Sequence, residues 1–522
     1  MTSLTWHDKI MKLPADLLDL SLGAVLNHGY GSFFPQPPEL EVLTENWDQT
    51  RTELADIDLE KYDGYSPIRS FAPKPRLNVR RTSLLHPIDL IFYTALVLKM
   101  RDQITAHRLP GDIVFSYRGE GAPADRLYNV TPSWKDFRSA VQKRVEDKPD
   151  SFVGITDIAD FYPRIYHHRL QNALEAATGP SEKDYIRVLD KMVRRFSDGG
   201  GVSYGVPVGP AASRLLAEAI LIDVDSTLVS FGTDFIRYVD DFVIFAEDPQ
   251  TAEYGIRVLG ETLFLHHGLT LSTAKTKVLT AREYLERHLK LHSEKEENRR
   301  KLLDIFGGDY EVKAYEDLDE ELKQEVDAFN LSEMLTEALA EGENVDYREV
   351  SFILGRLSAL QKPELIPTVI ENLERLYPVA EAVAVFFKKF TKLEADTRRD
   401  ISNALLAPIL HARDARPSEY YCVWALSVFQ HDREWDHAGD LLRIFRETSS
   451  DTVRRFAALA LAKSGTRAEA VAVKEYLSTG SALTRTAMLL ATANLGDDER
   501  KHLRRSLRLR DPLEKLCVET RI

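Results

Sequence analysis

Two hydrophobic patterns divide the chain. Up to about residue 285, short apolar runs bounded by turn residues mark strands, and longer stretches of helical character lie between them. Phe152-Val153-Gly154-Ile155-Thr156 is one such run, and it ends at Asp157. Phe235-Ile236 and Phe242-Val243-Ile244-Phe245 flank Tyr238-Val239-Asp240-Asp241, which predicts a β-hairpin whose turn is made of two adjacent carboxylates. The stretches Leu90 to Lys99 and Arg214 to Ile220 predict helices.

From about residue 286 strand signals stop and helical periodicity with few glycines takes over. Helices are expected over about Tyr347–Leu360, Glu364–Tyr377, Val379–Phe390, Thr397–Ala412, Glu419–Gln430 and Trp435–Thr448, after an acidic, exposed stretch at Lys313 to Asp327. Near the end, Arg454 through Gly465 aligns with Arg485 through Gly496, 31 positions later. Small alanines let helices approach closely, and a closing glycine suits a helix C-terminus. The expectation is an α+β domain over 1–285 followed by an all-α, HEAT-like helical repeat domain over 286–522, whose extended surface suits a long ligand or another protein.

Composition adds bounds. A chain of 522 residues with 44% hydrophobic content supports two or three domains. Two cysteines, Cys422 and Cys517, exclude a disulfide framework and fit a reducing cytoplasm. The N-terminal residues lack the basic start and apolar core of a signal peptide, and Leu90–Leu98 is shorter than the ~20 residues a membrane helix needs. The expectation is a cytoplasmic protein with no membrane partner.

The net charge of −14 is unusual for a protein that grips long nucleic acid by its phosphates. Local basic stretches exist, however: Arg69, Lys74, Arg76, Arg80 and Arg81 in one, and Arg500 to Arg510 in another. An acidic chain with a basic site suggests modest affinity for a duplex and a short reach along it. The pairs His167-His168 and His266-His267 sit on amphipathic segments with no third ligand at useful spacing, so they read as structural rather than metal-binding.

The acids carry the chemistry. Asp-Asp suits a tight hairpin turn less well than Asn-Gly or Asp-Gly, and neighbouring carboxylates repel each other unless a cation sits between them. A metal-binding role accounts for both costs. Tyr238-Val239-Asp240-Asp241 resembles motif C of reverse transcriptases, and Asp157-Ile158-Ala159-Asp160-Phe161-Tyr162-Pro163 resembles their motif A. Gly205-Val206-Pro207-Val208-Gly209-Pro210-Ala211-Ala212-Ser213, with the helical run after it, is similar to motif B, and Leu269 to Lys277 is similar to motif D with Lys275-Thr276. All four come in the family's order.

That resemblance implies a right-hand polymerase, with fingers and palm, that joins nucleotides through two Mg²⁺ ions, Mn²⁺ being able to substitute. It implies that Asp157 and Asp240 bridge both ions, that Asp241 is a looser third carboxylate, and that the carbonyl of Ile158 is a backbone ligand. Tyr162 stands where reverse transcriptases carry an aromatic gate against a ribose 2′-hydroxyl, and RNA-dependent RNA polymerases an Asp, so dNTPs are the implied substrates. Ile158, Ala159, Gly205, Pro207 and Lys275 would border the nucleotide. The basic segment before His86-Pro87-Ile88-Asp89 resembles the fingers of retron and group II intron enzymes, where Lys74, Arg76 and Arg80 would meet the triphosphate. Phe115-Ser116-Tyr117-Arg118-Gly119 also looks like a fingers motif.

Two departures are informative. Template-copying relatives carry Gln before the motif B glycine, where this chain has Tyr204, and the Leu-Gly primer-grip turn after motif D is replaced by Thr280 to Arg287 without a glycine. A reverse-transcriptase core followed by helical repeats resembles the bacterial Abi and defence-associated reverse transcriptases (the UG/Abi group, AbiK among them). The likeness implies abortive infection, template-independent polymerisation of dNTPs primed on a tyrosine of the same chain, a single-stranded DNA product joined to that tyrosine, homo-oligomers and a phage-encoded trigger. Tyr30, Tyr62, Tyr65, Tyr284, Tyr420 and Tyr421 are candidate primers that the sequence does not rank. Two other readings stay open: an RNA-templated reverse transcriptase of retron or group II intron type, and a non-catalytic scaffold acting through its helical repeats.

Overall fold

The computed structural model describes residues 10–29, 31, 33–74, 78–198, 201–287, 320, 323–324, 330–340, 345, 347–361, 363–390, 392–411, 417–435 and 437–520. Arg76, Tyr30 and most of the acidic stretch around Lys313 to Asp327 lie outside the described residues. Six strands are present among the described residues: β1 (Ile68–Lys74), β2 (Asn78–Leu84), β3 (Phe152–Asp157), β4 (Asp234–Tyr238), β5 (Asp241–Ala246) and β6 (Lys277–Thr280). The chain divides into two compact units. One comprises 1–31, 47–67 and 85–293, and the other 32–46, 68–84 and 294–522.

The first unit is built on an antiparallel sheet in the order β4-β5-β3-β6. Alternation along the strands gives the sheet two apolar faces. Val153, Ile236 and Val243 point to one face, where they bury against Phe137, Val141 and Val145 of the helix Trp134–Asp147. Gly154 and Ile244 point to the other, under the helix Pro249–Thr262. That helix lies so close that a Cβ on Gly154 would meet Ile256 at 3.0 Å, and one on Gly255 would meet Ile244 at the same distance. The pairing register sets Asp157 directly opposite Asp241.

The hairpin differs from its expected form. Asp241 is the first residue of β5 and pairs with Tyr238, so the two turn residues are Val239 and Asp240 rather than the two acids. Val239 takes the left-handed φ of 58° that this turn demands. A β-branched residue there is an outlier, since glycine is the usual occupant.

The second unit contains the antiparallel β1–β2 pair and a succession of helices. Tyr347–Leu360, Ala380–Lys389, Ala395–Leu410, Glu419–Val428 and Ala438–Glu447 fall on the predicted segments. The expected Glu364–Tyr377 helix is broken: Ile366–Glu371 stops at Asn372, and a 3₁₀ segment, Leu373–Val379, carries Pro378. Asp451–Ser464 and Ala482–Ala491 are capped by Ser450 and Ser481, whose hydroxyls accept from Val453 N–H and Thr484 N–H. Consecutive members Ala380–Lys389, Glu419–Val428, Asp451–Ser464, Ala482–Ala491 and Pro512–Glu519 pack side by side.

Each cap also meets the first turn of the preceding member. Ser450 Oγ donates to Glu419, and Ser481 N–H donates to the Asp451 carboxylate at 3.3 Å, with Thr484 Oγ1 donating to Asp451 Oδ2 at 2.8 Å. Arg455, fully buried, donates to both oxygens of Glu39 at 2.6 and 2.8 Å, tying the short helix Glu39–Glu45 to this unit. No helix among the described residues is long and apolar enough to cross a membrane.

Candidate active site

Antiparallel pairing brings three acids together at one end of the sheet: Asp157 closes β3, Asp240 occupies the turn and Asp241 opens β5. One carboxylate oxygen from each lies within 4.8 Å of the others, a spacing at which three hard oxygen donors can share a cation. Crowding has an electrostatic consequence. Burial, with the charges of Asp157 and Asp241, raises the Asp240 carboxyl to about 7. The donor set thus fits a divalent metal.

Lys275 supplies a charge of the chain's own, its Nζ lying 2.6 Å from Asp157 Oδ2. Burial by itself pulls this lysine down. The hydrogen bond to Asp157 and the charges of Asp157, Asp241 and Asp240 outweigh it, and the ammonium is held above the ordinary lysine range. Backbone bonds bring the segment of Lys275 here: Ser272 N–H donates to Asp157 O at 2.7 Å, and Ala159 N–H donates to Thr270 O at 2.9 Å.

Backbone bonds link other predicted residues of this unit to the acids or to one another. Ile158 N–H donates to Asp240 O at 3.2 Å, joining the end of β3 to the turn. Tyr162 follows a left-handed Asp160 (φ 47°). Burial, then Tyr117 and Asp240, hold its hydroxyl protonated well above the usual phenol range. Tyr162 O accepts from Val206 N–H at 3.0 Å, which links motif A to the loop of Gly205 and Pro207. Gly205 has φ 102°, where glycine is needed, and its carbonyl accepts from Ser197 Oγ at 2.7 Å and lies 2.8 Å from His167 Nε2. His167 is therefore a loop anchor, and His267 pairs with Asp223 at 3.0 Å, in keeping with the structural reading of both. Pro207 is buried, whereas the Tyr204 ring is 37% exposed.

Lys74 and Arg80 sit on β1 and β2 in the second unit, where the Arg80 guanidinium lies over the Phe33 ring at 5.5 Å. Among the tyrosines, Tyr420 and Tyr421 are buried rather than accessible, and Tyr421 donates to Leu405 O at 2.9 Å. Tyr62, Tyr65 and Tyr284 keep partial exposure.

Sequence reading missed the charged cluster behind the turn. Arg237 is fully buried in β4 and binds both oxygens of Asp225 at 2.6 and 2.7 Å and Glu218 Oε2 at 2.8 Å. Arg108 reaches the same Glu218 oxygen at 2.7 Å. The available signal was a charge interrupting an apolar run, Arg237 after Phe235-Ile236 and Glu218 within an alanine-leucine helix, since such residues are seldom fully buried unless paired. The Phe115–Gly119 motif lies alongside β4: Phe115 N–H donates to Arg237 O at 3.0 Å, and Arg237 N–H to Ile113 O at 2.9 Å.

A protein-family model described as reverse transcriptase (RNA-dependent DNA polymerase) matches residues 120–303, which contain all four motifs. The chain carries a reverse-transcriptase-type polymerase domain, and its enzyme class is that of the nucleotidyltransferases. No curated protein matches the chain. Among solved structures, telomerase from Candida albicans with a fragment of telomeric RNA aligns over 80% of this chain and 68% of its own, at 12% identity and a TM-score of 0.31. Apo telomerase from Candida tropicalis aligns over 80% and 74%, at 10% identity and a TM-score of 0.33. Likeness at that level carries no argument about this chain.

Proposed function

We propose that this protein is an antiphage DNA polymerase of the abortive-infection type, which joins dNTPs without a template and begins on a tyrosine of its own chain. The observation that carries the polymerase part is the convergence of Asp157, Asp240 and Asp241 with Lys275 beside them and Tyr162 next to Asp240. The three carboxylates, with the Ile158 carbonyl, would hold two Mg²⁺ ions. When bound, such ions stabilise the attacking and leaving oxygens of an in-line displacement.

The side chains divide the remaining work. Lys275, protonated throughout the neutral range, can donate a proton or a hydrogen bond to a phosphate oxygen. Tyr162 presents a neutral ring that would crowd a 2′-hydroxyl and select dNTPs. Ala159 and the anchored Gly205–Pro207 loop would border the nucleotide; a triphosphate role for Lys74, Arg76 and Arg80 rests on the resemblance alone.

The loss of template use rests on two features. Tyr204 stands before Gly205 with its ring partly exposed. After β6 the chain turns straight into the helix Ala281–Leu285 through a capping box of Thr280 and Glu283, leaving no glycine turn to grip a primer. The defence role, the homo-oligomer, the DNA-tyrosine product and the phage-encoded trigger rest on the resemblance, and so does the HEAT-like reading of the stacked helices. A second reading, RNA-templated synthesis, is favoured by the description of the matching family.

The test incubates purified protein with labelled dNTPs and Mg²⁺ or Mn²⁺, without primer or template, beside Asp240→Ala, and resolves the products on a denaturing protein gel. Label migrating with the wild-type protein alone supports the proposal. Label appearing only after an RNA template and primer are added establishes the second reading.

A further inference from the structure

A cluster of buried charged side chains lies directly behind the acidic turn. Ser116 Oγ accepts from Val239 N–H at 2.9 Å and donates to Glu218 Oε1 at 2.5 Å. Arg237 Nη1 donates to Val239 O at 3.1 Å while its other contacts go to Glu218 and Asp225. Arg108 closes the cluster by donating to Glu218 and to the carbonyls of Ser116 and Tyr117. Both backbone polar groups of the one left-handed valine in the turn are therefore held by side chains of a single buried network.

We propose that Ser116, acting with Arg237 and Glu218, is a positioning residue that holds Val239 in its left-handed conformation and so fixes Asp240 and Asp241 for metal binding. This rests on the reading of the acid cluster as a polymerase metal site. A valine released from these two bonds would return to the favoured negative φ and swing the acid that follows it. The charge balance supports a geometric role. Two guanidinium groups face two carboxylates, so the network is neutral in sum and adds no net cation to compete with a metal. Arg237 is saturated by acids of the network and offers the turn a single N–H. Ser116, Glu218, Asp225 and Arg237 come from four different elements, namely the segment after Ile113, the helix Ala211–Ile220, the helix Ile222–Ser230 and β4, and Arg108 adds the segment after the helix Pro87–Ala106, so the turn is tied to all five.

The experiment measures Mn²⁺ binding to the full chain by electron paramagnetic resonance, together with kcat, KM for dNTP and the Mg²⁺ concentration giving half-maximal rate. The variants are Ser116→Ala, Ser116→Thr and, as a packing control, Val141→Ala in the core beneath the same sheet. Ser116→Ala is expected to weaken Mn²⁺ binding and raise the Mg²⁺ requirement about tenfold, with kcat down and KM for dNTP nearly unchanged, as for loss of a group that orients metal ligands. Ser116→Thr, which keeps the hydroxyl, is expected to restore most of the loss. Val141→Ala is expected to lower Tm without moving Mn²⁺ affinity.

Ser116→Ala binding Mn²⁺ as the wild type does, or Val141→Ala weakening Mn²⁺ equally, overturns the proposal. Should Ser116→Ala fail to fold, Ser116→Cys takes its place with the same expected sign, because sulfur is a weak acceptor. If the wild type joins no nucleotides, the polymerase reading fails, and the Mn²⁺ comparison still decides the role of Ser116.

Discussion

The Lys275 ammonium lies 2.6 Å from Asp157 Oδ2, at the edge of three carboxylates that otherwise face one another. The chain thus provides part of the counter-charge its site needs, and a metal would provide the rest. Lys275→Ala is expected to lower Tm in EDTA by an amount matching about 0.5–1 kcal/mol, since the side chain is largely exposed and its ion pair is screened. Saturating Mg²⁺ is expected to restore the difference. Thermal melts with and without Mg²⁺ check both halves.

Asp240 makes stability and metal binding depend on pH in opposite directions. Its carboxyl titrates at about 7 in the folded chain against an ordinary value near 4. Between those values the folded state holds a proton that the unfolded state has lost, so in EDTA this group's contribution to stability falls as pH rises from about 4 to 7. Asp240→Asn is expected to raise Tm at pH 8 in EDTA and to remove that part of the slope. Metal affinity runs the other way, because a metal competes with the proton. Mn²⁺ binding is expected to strengthen up to tenfold per pH unit below about 7 and to level off above it. Titrations at pH 6, 7 and 8 check this.

Tyr162→Ala tests the gate. Removing a ring that crowds the 2′ position is expected to raise kcat/KM for rNTPs relative to dNTPs at least tenfold, a shift of about 1.4 kcal/mol. Parallel incorporation assays with labelled dNTP and rNTP measure the ratio. No change would mean that the ring is a packing residue.

In the second unit, Glu39→Ala would leave the fully buried Arg455 guanidinium without its carboxylate and Thr486 Oγ1 without one acceptor. Loss of one partner of a buried pair is expected to cost about 3–5 kcal/mol. Replacing both charges, as in Glu39→Leu with Arg455→Met, is expected to recover most of it. Denaturant melts of the single and double variants provide the comparison.

Much of the site could be read along the chain. Asp157 ends an apolar run, Asp240 and Asp241 stand between two more, and the glycine at 205 marks a backbone conformation that few other residues adopt. Most helix segments of the second half were equally legible, because an amphipathic helix writes its period into neighbouring residues, whereas the break at Asn372 was not. The turn was misplaced by one position. Sequence propensity favours acids over valine at a turn centre, whereas the register of β4 against β5 puts Asp241 into the strand and leaves the strained place to Val239.

Sequence by itself determined the strands that carry the acids, most helices of the second half, the three carboxylates and the lysine that follows them. These follow from local periodicity and from residue chemistry that does not depend on distant neighbours. Tertiary structure alone decided that Ser116, Glu218, Asp225 and Arg237 meet behind the turn, and that Arg455 finds its acid at Glu39, 416 residues earlier in the chain. It also decided that the β1–β2 hairpin with Lys74 and Arg80 belongs to the second compact unit. Long-range pairs of this kind leave no periodic trace. Each buried charge shows only that it needs a partner, and folding settles which of the chain's many acids and bases that partner is.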